Sequence, residues 1–263
     1  MPGRVSSLYR YPVKGMSPEP LSSIALTEGD GVPMDRVYAL ARPDTVFDPE
    51  RPAPLPKQRF VMLMKDEALA AVRSRYDDTT GLLSLTHGDR HVETDLTTPG
   101  GRRVLEDLVA AVVGPGLGGR PRVVTSAGYR FTDVAVTSPE MMNAVSLINL
   151  ASVADLERRS GARLDPLRFR ANIYLDGVPA WSELDWVGRT VTVGSGADAV
   201  RLHVAARTGR CAATSVDPAT AVRDVNVPRA LQNAYGHMKC GVYAFVRSSG
   251  TIRVGDAARA GGS

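Results

Sequence analysis

Short stretches that alternate apolar and polar residues, separated by turn-forming residues, recur along most of the chain and constrain its fold most strongly. Residues 34–40 alternate in this way, and residues 82–86 and 91–95 are separated by Gly88-Asp89. Alternation with a period of two is typical of half-buried strands, and glycine and aspartate at the breaks favour tight turns. Closely spaced strands with such turns predict antiparallel sheets or barrels, so we expect a mostly β fold with some α structure (α+β).

Three stretches predict helices instead. Apolar residues at helical spacing predict a helix over residues 101–113, which Gly114-Pro115 would end. Ser152-Val-Ala-Asp155 has the pattern of a capping box, so a second helix is expected to begin there and to stop at Gly161. A third, shorter helix is expected over residues 227–234.

The glycine-rich stretch Gly114-Pro-Gly-Leu-Gly-Gly119 has the composition of a linker. Domain boundaries fall in exposed stretches of this kind. We therefore divide the chain into a first domain of residues 1–120 and a second of residues 121–263.

The second half carries further predicted strands. Residues 169–175 predict a strand that presents Arg170 and Asn172, and a β-prone run follows Cys211. Residues 242–246 and 251–254 predict a final hairpin, and residues 257–263 predict a frayed tail.

Composition limits the classes of partner and the compartment. The 263 residues are 43% hydrophobic and 23% charged, with a net charge of +4 spread along the chain rather than in a basic block, which disfavours nucleic-acid binding. No apolar run approaches the length of a membrane span, and the first ten residues lack the apolar core of a signal peptide. Two cysteines are too few for a disulfide framework, so we expect a cytoplasmic protein with no membrane partner.

Arg210-Cys211 is the sequence feature most suggestive of chemistry. An alternating run, residues 200–206, leads into a break at Thr208-Gly209, where the chain is expected to turn and place Cys211 at the rim of a sheet. A neighbouring cation favours the thiolate, which attacks electrophiles or binds soft metals. A small buried apolar residue is the other interpretation, because most free cysteines are of that kind.

Several chemistries lack the residues they need. Of the histidines, His203 lies eight residues before Cys211, roughly 25 Å away along an extended strand, so no local Cys–His pair is indicated. Two cysteines with scattered histidines match neither a zinc site nor an iron–sulfur cluster. A general acid/base pair of Glu183 and Asp185 stays open, as does a single thiolate ligand to a molybdenum held mainly by its own cofactor.

Eight stretches in order along the chain resemble the MOSC family (molybdenum cofactor sulfurase C-terminal domain), in the form with an N-terminal MOSC β-barrel domain. Within the family the chain is similar to the mitochondrial amidoxime-reducing component and its bacterial relatives. The stretches are Tyr11-Pro-Val-Lys14, Gly31 to Asp35-Arg36, Ser152-Val-Ala-Asp-Leu156, Arg168-Phe-Arg-Ala-Asn172, Glu183-Leu-Asp-Trp186, Arg210-Cys211 with Thr214 and Val216-Asp217-Pro218, Gly241-Val-Tyr243, and Gly250-Thr-Ile-Arg-Val-Gly-Asp256.

The resemblance implies an N-terminal β-barrel-like domain beside a MOSC β-barrel with a few short helices. It implies a molybdenum cofactor (Mo-molybdopterin) with Cys211 as the metal ligand. For the protons of such a reaction we expect Asp185 or Glu183 to act as a relay. The family also suggests pyridoxal phosphate binding. The cofactor-binding positions that it implies are Lys14, Gly15, Arg36, Asn143, Arg170, Asn172, Thr208, Gly209, Arg210 and Tyr243.

The resemblance implies reduction of N-oxygenated (N-hydroxylated) compounds. The chain shows neither a cluster cysteine set nor a flavin fingerprint, so we expect an external electron donor of the ferredoxin, flavoprotein or cytochrome b5 type. Two alternatives remain: a sulfur or cofactor carrier that uses Cys211 without reductase activity, and a binding module with an unmetallated pocket. The chain departs from the family pattern at Gly15-Met16, where serine or cysteine often follows the lysine, and at Cys240, where an aromatic residue is common.

Overall fold

Residues 2–261 are described by the structure, a computed structural model, and they combine β-sheets with four α-helices. The expected mixed fold with predominant β-sheet organisation is confirmed. The helices are α1 (Pro99–Val113), α2 (Pro139–Met142), α3 (Leu150–Ser160) and α4 (Val227–Tyr235). The strands are β1 (Gly3–Arg10), β2 (Glu19–Leu21), β3 (Ser23–Leu26), β4 (Ala39–Ala41), β5 (Arg73–Tyr76), β6 (Leu83–His87), β7 (Arg90–Thr94), β8 (Arg122–Val124), β9 (Val145–Asn149), β10 (Ile173–Asp176), β11 (Thr190–Val193), β12 (Val200–Gly209), β13 (Lys239–Val246), β14 (Gly250–Arg253) and β15 (Ala257–Ala260).

A closed barrel of seven strands forms the larger unit. Its strands follow the order β10-β9-β13-β12-β11-β15-β1, and β1 pairs again with β10 to close the ring, while β2 extends the sheet from β1. Inward-facing residues such as Val5, Leu147 and Leu202 are fully buried in one core. Closure therefore leaves no free edge among the seven strands, which stabilises an otherwise short-stranded sheet.

The first half of the chain has a separate core. Strands β5, β6 and β7 form an antiparallel sheet, β4 pairs with β8, and α1 packs nearby with Leu105 and Leu108 buried. The chain nevertheless crosses between the two units, because β1 belongs to the barrel and β3 pairs with β14. The predicted domain boundary at residue 120 therefore stays a prediction.

Two predicted helices agree with the structure at their C-terminal ends. Helix α3 ends at Gly161, and α4 ends at Gly236; both glycines adopt the left-handed conformation that closes a helix. The start of α3 differs from the prediction. Asn149 is its N-cap, through a hydrogen bond from the Ala151 amide, because the Ser152 hydroxyl is buried and donates to Glu183 instead.

Two predicted strands are shortened by residues in the left-handed backbone region. Residues 34–40 contribute only their end to β4, because Met34 and Arg36 have φ of 59° and 54°. Residues 169–175 become a strand only from Ile173, because Arg170 has φ of 52°. Extended strands exclude positive φ, so both arginines lie in turns rather than on a pleated surface.

Three further predictions, all for the C-terminal part of the chain, differ from the structure. Strand β12 continues through Gly209, and a 3-10 helix, Ala212–Ser215, follows where a β-prone run was predicted. The predicted hairpin is wrong, because β14 pairs with β3 rather than with β13. The predicted tail is also wrong for its first part: β15 pairs with both β1 and β11, while residues 262 and 263 lie outside the described residues.

Candidate functional site

A cleft at the end of β12 gathers residues from both halves of the chain. The segments that line it come from the turn after β1, the loops around residues 57–64 and 132–134, the segment before β10 and the β12–β13 pair. Ten of the expected site residues lie there: Lys14, Gly15, Arg36, Arg170, Asn172, Thr208, Gly209, Arg210, Cys211 and Tyr243.

Cys211 is partly exposed and directly follows the buried Arg210. Its carbonyl accepts hydrogen bonds from the Thr214 amide and hydroxyl, at 3.0 and 2.8 Å. Arg223 donates to the carbonyl oxygens of Ala212 and Leu63, which joins the cysteine loop to the first half of the chain. The thiol is thus held on an anchored turn with solvent access, as a metal ligand or reactive thiol requires.

Two expected site residues lie outside the cleft. Asp185 is exposed, and its carboxylate faces Arg207 at 3.4 Å, so its position does not support a proton relay into the cleft. Asn143 donates to the carbonyl of Gly29 at 3.2 Å, although its neighbour Ala144 does line the cleft. Asn143 was placed by family resemblance and Asp185 by the acidic character of its segment, and neither specifies side-chain direction.

Lys57 and Asp133 are the site residues that the sequence did not indicate. Asp133 accepts hydrogen bonds from Lys14 and from Lys57, the latter at 3.4 Å. Lys57 lies at the end of the proline-rich loop, and Asp133 follows Phe131-Thr132 in an irregular segment. Neither stands in a recognisable motif, so only the fold shows that they meet.

Charge pairing sets the protonation of this group. Burial alone would raise the pKa of Asp133, but Lys14, Lys57 and Arg36 together hold it well below its usual range, so it is a carboxylate. Burial lowers the pKa of Lys14 despite Asp133. For Lys57, burial is outweighed by Asp133 and by the Cys211 thiol, so its pKa is raised and it stays an ammonium beside the cysteine.

Arg36 and Arg170 bring two further cations to the cleft. Arg36 pairs with Asp35 and donates to the carbonyl of Arg170 at 3.0 Å. Arg170 donates to the carbonyl of Met16 at 2.7 Å and has no carboxylate partner among residues 2–261. Burial lowers the pKa of Arg170, and the nearby Arg36 guanidinium lowers it further. An anionic ligand would stabilise this pair of like charges.

Arg210 is held entirely by main-chain carbonyls. Its Nε donates to Cys240 at 2.7 Å and its Nη1 to Phe169 at 2.8 Å, with no carboxylate partner in the described part of the chain. Gly241 makes room for it: a Cβ there would lie 2.9 Å from Nη2 of Arg210 and 2.5 Å from the Leu147 carbonyl oxygen. Gly241 also has φ of 76°, which residues other than glycine rarely adopt.

Asn172, by contrast, makes hydrogen bonds that connect segments of the barrel. Its Oδ1 accepts from the amide and hydroxyl of Ser146, and its Nδ2 donates to the carbonyl of Tyr9 at 3.2 Å. The residue is 1% exposed. Asn172 therefore connects β9 and β1 near the point of barrel closure, and it lines the cleft while its amide is engaged elsewhere.

Four buried donors on residues that line the cleft lack a hydrogen-bond partner among the described residues: Nε of Arg168, Nη2 of Arg170, Nη2 of Arg210 and Oγ1 of Thr208. Buried polar groups are nearly always satisfied in native proteins, so such atoms indicate a ligand or ordered water. Three belong to guanidinium groups, and of these only Arg168 is already paired with carboxylates, those of Asp217 and Asp224. The unpaired Arg170 and Arg210 fit a ligand that presents phosphate or other oxygen acceptors. The donor set thus fits a phosphate-bearing cofactor with a thiolate-bound metal.

Glu183 lies apart from this cleft in a buried polar group. Its Oε2 accepts from Asn149 and Ser152, at 3.1 and 2.8 Å, and the residue is fully buried. Burial raises the pKa of Glu183, against the hydrogen bonds that lower it. It does not line the cleft, so a direct acid/base role there is not supported.

Within residues 2–261, no cluster of three or more histidine, cysteine or acidic side chains could hold a metal by itself. A metal at Cys211 would therefore need ligands from a cofactor. None of the helices described is long and apolar enough to cross a bilayer.

The fold and cleft define a β-barrel protein with a cationic, cysteine-bearing ligand site. Residues 2–109 match the MOSC N-terminal beta barrel domain, and residues 129–259 match the MOSC domain. The chain therefore belongs to the MOSC family, whose members often bind the molybdenum cofactor. The expected family is confirmed, and pyridoxal phosphate binding stays a prediction.

Comparison with solved structures found matches of low similarity. The YuaD protein from Bacillus subtilis is 13% identical, with a TM-score of 0.45 over 98% of this chain and 94% of that chain. YiiM from Geobacillus stearothermophilus is 20% identical, with a TM-score of 0.34 over 45% of this chain and 54% of that chain. A search of curated proteins found no match.

Proposed function

We propose that the protein is a molybdenum-cofactor-dependent oxidoreductase that reduces N-oxygenated compounds. One observation carries the proposal: the cleft combines a partly exposed cysteine with the guanidinium groups of Arg170 and Arg210. Each of these groups has a buried, unpartnered Nη2 and no carboxylate partner among the described residues. Burying unpaired charges is costly, so the cleft favours an anionic ligand beside a thiolate.

In this proposal each part of the cleft has a defined role. Cys211 supplies the protein ligand to the metal, Arg170 and Arg210 donate to the phosphate and ring acceptors of the cofactor, and Thr208 offers its hydroxyl. When bound, the cofactor supplies the two-electron chemistry, and the net reaction takes two protons and releases water.

The side of the cleft formed by Lys14, Asp133 and Lys57 contributes to substrate binding. Asp133 stays ionised and holds both ammonium groups, and Lys57 brings a protonated amine to Cys211. A hydroxylamine or N-hydroxylated amidine could accept from Lys57 and donate to Asp133, which would orient its oxygen for reduction. Asp133, rather than Asp185, is thus the carboxylate that we propose to act on the substrate.

Electrons for this reaction come from a separate protein, of ferredoxin, flavoprotein or cytochrome b5 type. The chain has two cysteines, of which one is the proposed metal ligand, so it cannot hold a conventional iron–sulfur cluster.

Metal analysis tests the proposal. Wild-type protein and Cys211→Ala would be produced in a host that makes the cofactor, and molybdenum would be measured per chain. We expect close to one molybdenum per wild-type chain and its loss in the variant. Stoichiometric molybdenum in Cys211→Ala would refute the ligand assignment.

Viologen-driven activity separates the reductase from a carrier. Reduced methyl viologen should support reduction of benzamidoxime or hydroxylamine by the metal-loaded wild type. If molybdenum is bound but no N-reduction occurs, the result favours a sulfur or cofactor carrier that uses Cys211.

A further inference from the structure

The ring of Tyr11 lies beneath both of the cleft arginines that occupy the left-handed backbone region. The guanidinium carbon of Arg170 is 4.3 Å from the centre of the ring, and that of Arg36 is 4.6 Å from it. The face of an aromatic ring carries partial negative charge and attracts cations at this range. One side chain therefore contacts two like charges at once.

The main chain around Tyr11 is tied to the same two arginines. The Tyr11 amide donates to Asp35, the ion-pair partner of Arg36, and the Arg36 amide donates to the Tyr11 carbonyl at 2.7 Å. The Tyr11 hydroxyl donates to the carbonyl of Ala171, next to Arg170, at 3.2 Å. Tyr11 thus contacts both turns in which the arginines lie.

Tyr11 itself cannot bind a ligand. It is fully buried, and it does not line the cleft, whereas Arg36 and Arg170 both do. Its hydroxyl is engaged by Ala171, and burial raises its pKa, so it stays neutral. Any role in ligand binding must act through the two guanidinium groups.

The two guanidinium groups carry like charges and repel each other. Apart from the ring, Arg36 is held by Asp35 and the Arg170 carbonyl, and Arg170 is held by the Met16 carbonyl. The Arg36 charge is one cause of the lowered pKa of Arg170. We propose that Tyr11 is the positioning residue of the anion site: its ring holds Arg36 and Arg170 together so that one dianionic oxyanion can contact both. Preorganised donors bind more tightly because no ordering cost is left at binding.

The proposal concerns the anion-binding part of the proposed function, but it can be tested without molybdenum. The probe is inorganic phosphate, and the readout is the rise in melting temperature of the metal-free, full-length protein with phosphate concentration, at constant ionic strength. Sodium chloride at the same ionic strength is the blank. Arg170→Met marks the loss expected when one guanidinium group is removed.

Two substitutions separate the ring from the hydroxyl. Tyr11→Phe keeps the ring, so phosphate affinity should stay within about twofold of wild type. Tyr11→Leu removes the ring, and loss of its cation–π contacts should weaken phosphate binding by about five- to tenfold. Leu105→Ala, in α1 and remote from the cleft, is the control for general loss of stability: its melting temperature should fall while its phosphate affinity stays unchanged.

Several results would overturn the proposal. Wild-type protein that gains no stability from phosphate would do so, as would folded Tyr11→Leu that binds phosphate like wild type. If Tyr11→Leu does not fold, Tyr11→Phe decides alone, because a loss as large as that of Arg170→Met would assign the effect to the hydroxyl. Failure of N-reduction with normal phosphate binding would count against the reductase and leave the role of Tyr11 intact.

Discussion

Arg210 and Cys240 are joined by a hydrogen bond of 2.7 Å, from Nε of the arginine to the main-chain carbonyl of the cysteine. Because Cys211 directly follows Arg210, this bond fixes the candidate metal ligand against β13. The Cys240 side chain packs instead in the core beneath α3 and α4, with Leu156 and Leu231. The main-chain carbonyl of Cys240 therefore holds Arg210 at the site, while the Cys240 side chain packs in the core.

Replacing Cys240 with alanine should leave metal binding intact. The Arg210 hydrogen bond uses the carbonyl, which the substitution retains, while the lost packing should cost about 1 kcal/mol of unfolding free energy. Urea unfolding and molybdenum content of Cys240→Ala, measured beside Cys211→Ala, check this. A Cys240→Ala protein that loses its molybdenum would contradict the structural role.

The same variant should change the response to alkaline pH. Burial raises the pKa of the Cys240 thiol to about 12, so the folded state holds its proton where the unfolded state releases it. Stability from this group is complete below the ordinary cysteine pKa, near 9, and is lost as pH rises from there toward 12. Between pH 9 and pH 10.5, wild-type unfolding free energy should fall more steeply than that of Cys240→Ala, by at most about 1.4 kcal/mol per pH unit.

Gly241→Ala should damage the site by displacing Arg210. The new Cβ would meet the Leu147 carbonyl and the Arg210 guanidinium, and alanine is strained at this positive φ. We expect a loss of about 2–4 kcal/mol in unfolding free energy and of most of the bound molybdenum. Gly236→Ala is the matched control, since φ there is 71° but no atom lies within 4 Å of the added Cβ, so it should lose stability and keep its metal.

The unfolding free energy of Glu183→Gln should increase relative to that of wild type as pH rises. Burial raises the pKa of Glu183, so wild-type protein loses stability as pH increases above the ordinary glutamate value of 4.5 and the unfolded chain ionises first. Glutamine can accept from Asn149 and Ser152 without a charge. Urea unfolding at pH 4.5 and pH 7.5 should show the variant gaining on wild type; a constant difference would argue against a raised pKa. Glu183→Ala should cost about 2–4 kcal/mol, since it leaves both buried donors unpaired.

Asp133→Asn and Asp185→Asn should behave differently. Asp133 holds Lys14 and Lys57 in the cleft, and its removal should lower viologen-driven reduction at least about tenfold. Asp185 is exposed and faces Arg207 at 3.4 Å, so its loss should change stability by less than about 0.5 kcal/mol and activity by less than about twofold. Equal activities for the two variants would exclude the role proposed for Asp133.

Local patterns predicted those elements that local forces determine. Helix α1 has apolar residues at helical spacing and a Thr98 cap, and α3 and α4 end at glycines that leave the helical region. Long-range pairing determined the rest. Ser248-Ser249-Gly250 looks like a hairpin turn, yet β14 pairs with β3 because the barrel places that strand within reach. The alanine-rich β15 has weak strand propensity, and pairing on both sides makes it a strand.

The candidate site was likewise predictable where a local pattern marks it and not where long-range contacts form it. Cys211 and its neighbours follow a recognisable pattern, so the resemblance identified them. Arg36 and Arg170 were expected on strands, and their left-handed turns depend on contacts with Tyr11 and Met16 that no sequence period reveals. Lys57 and Asp133 meet only because the two halves of the chain pack together at the cleft.

Barrel closure by β1 also constrains the order of folding during synthesis. The earliest described strand pairs with β10 and with β15, so the ring cannot close until nearly the whole described chain has left the ribosome. Until then β1 can pair only with β2, and the positions that pair with β10 and β15 stay open, a state in which strands can join to those of other chains. Expression at low temperature or with chaperones should favour this protein, and a fragment that begins after β1 would leave β10 and β15 open to aggregation.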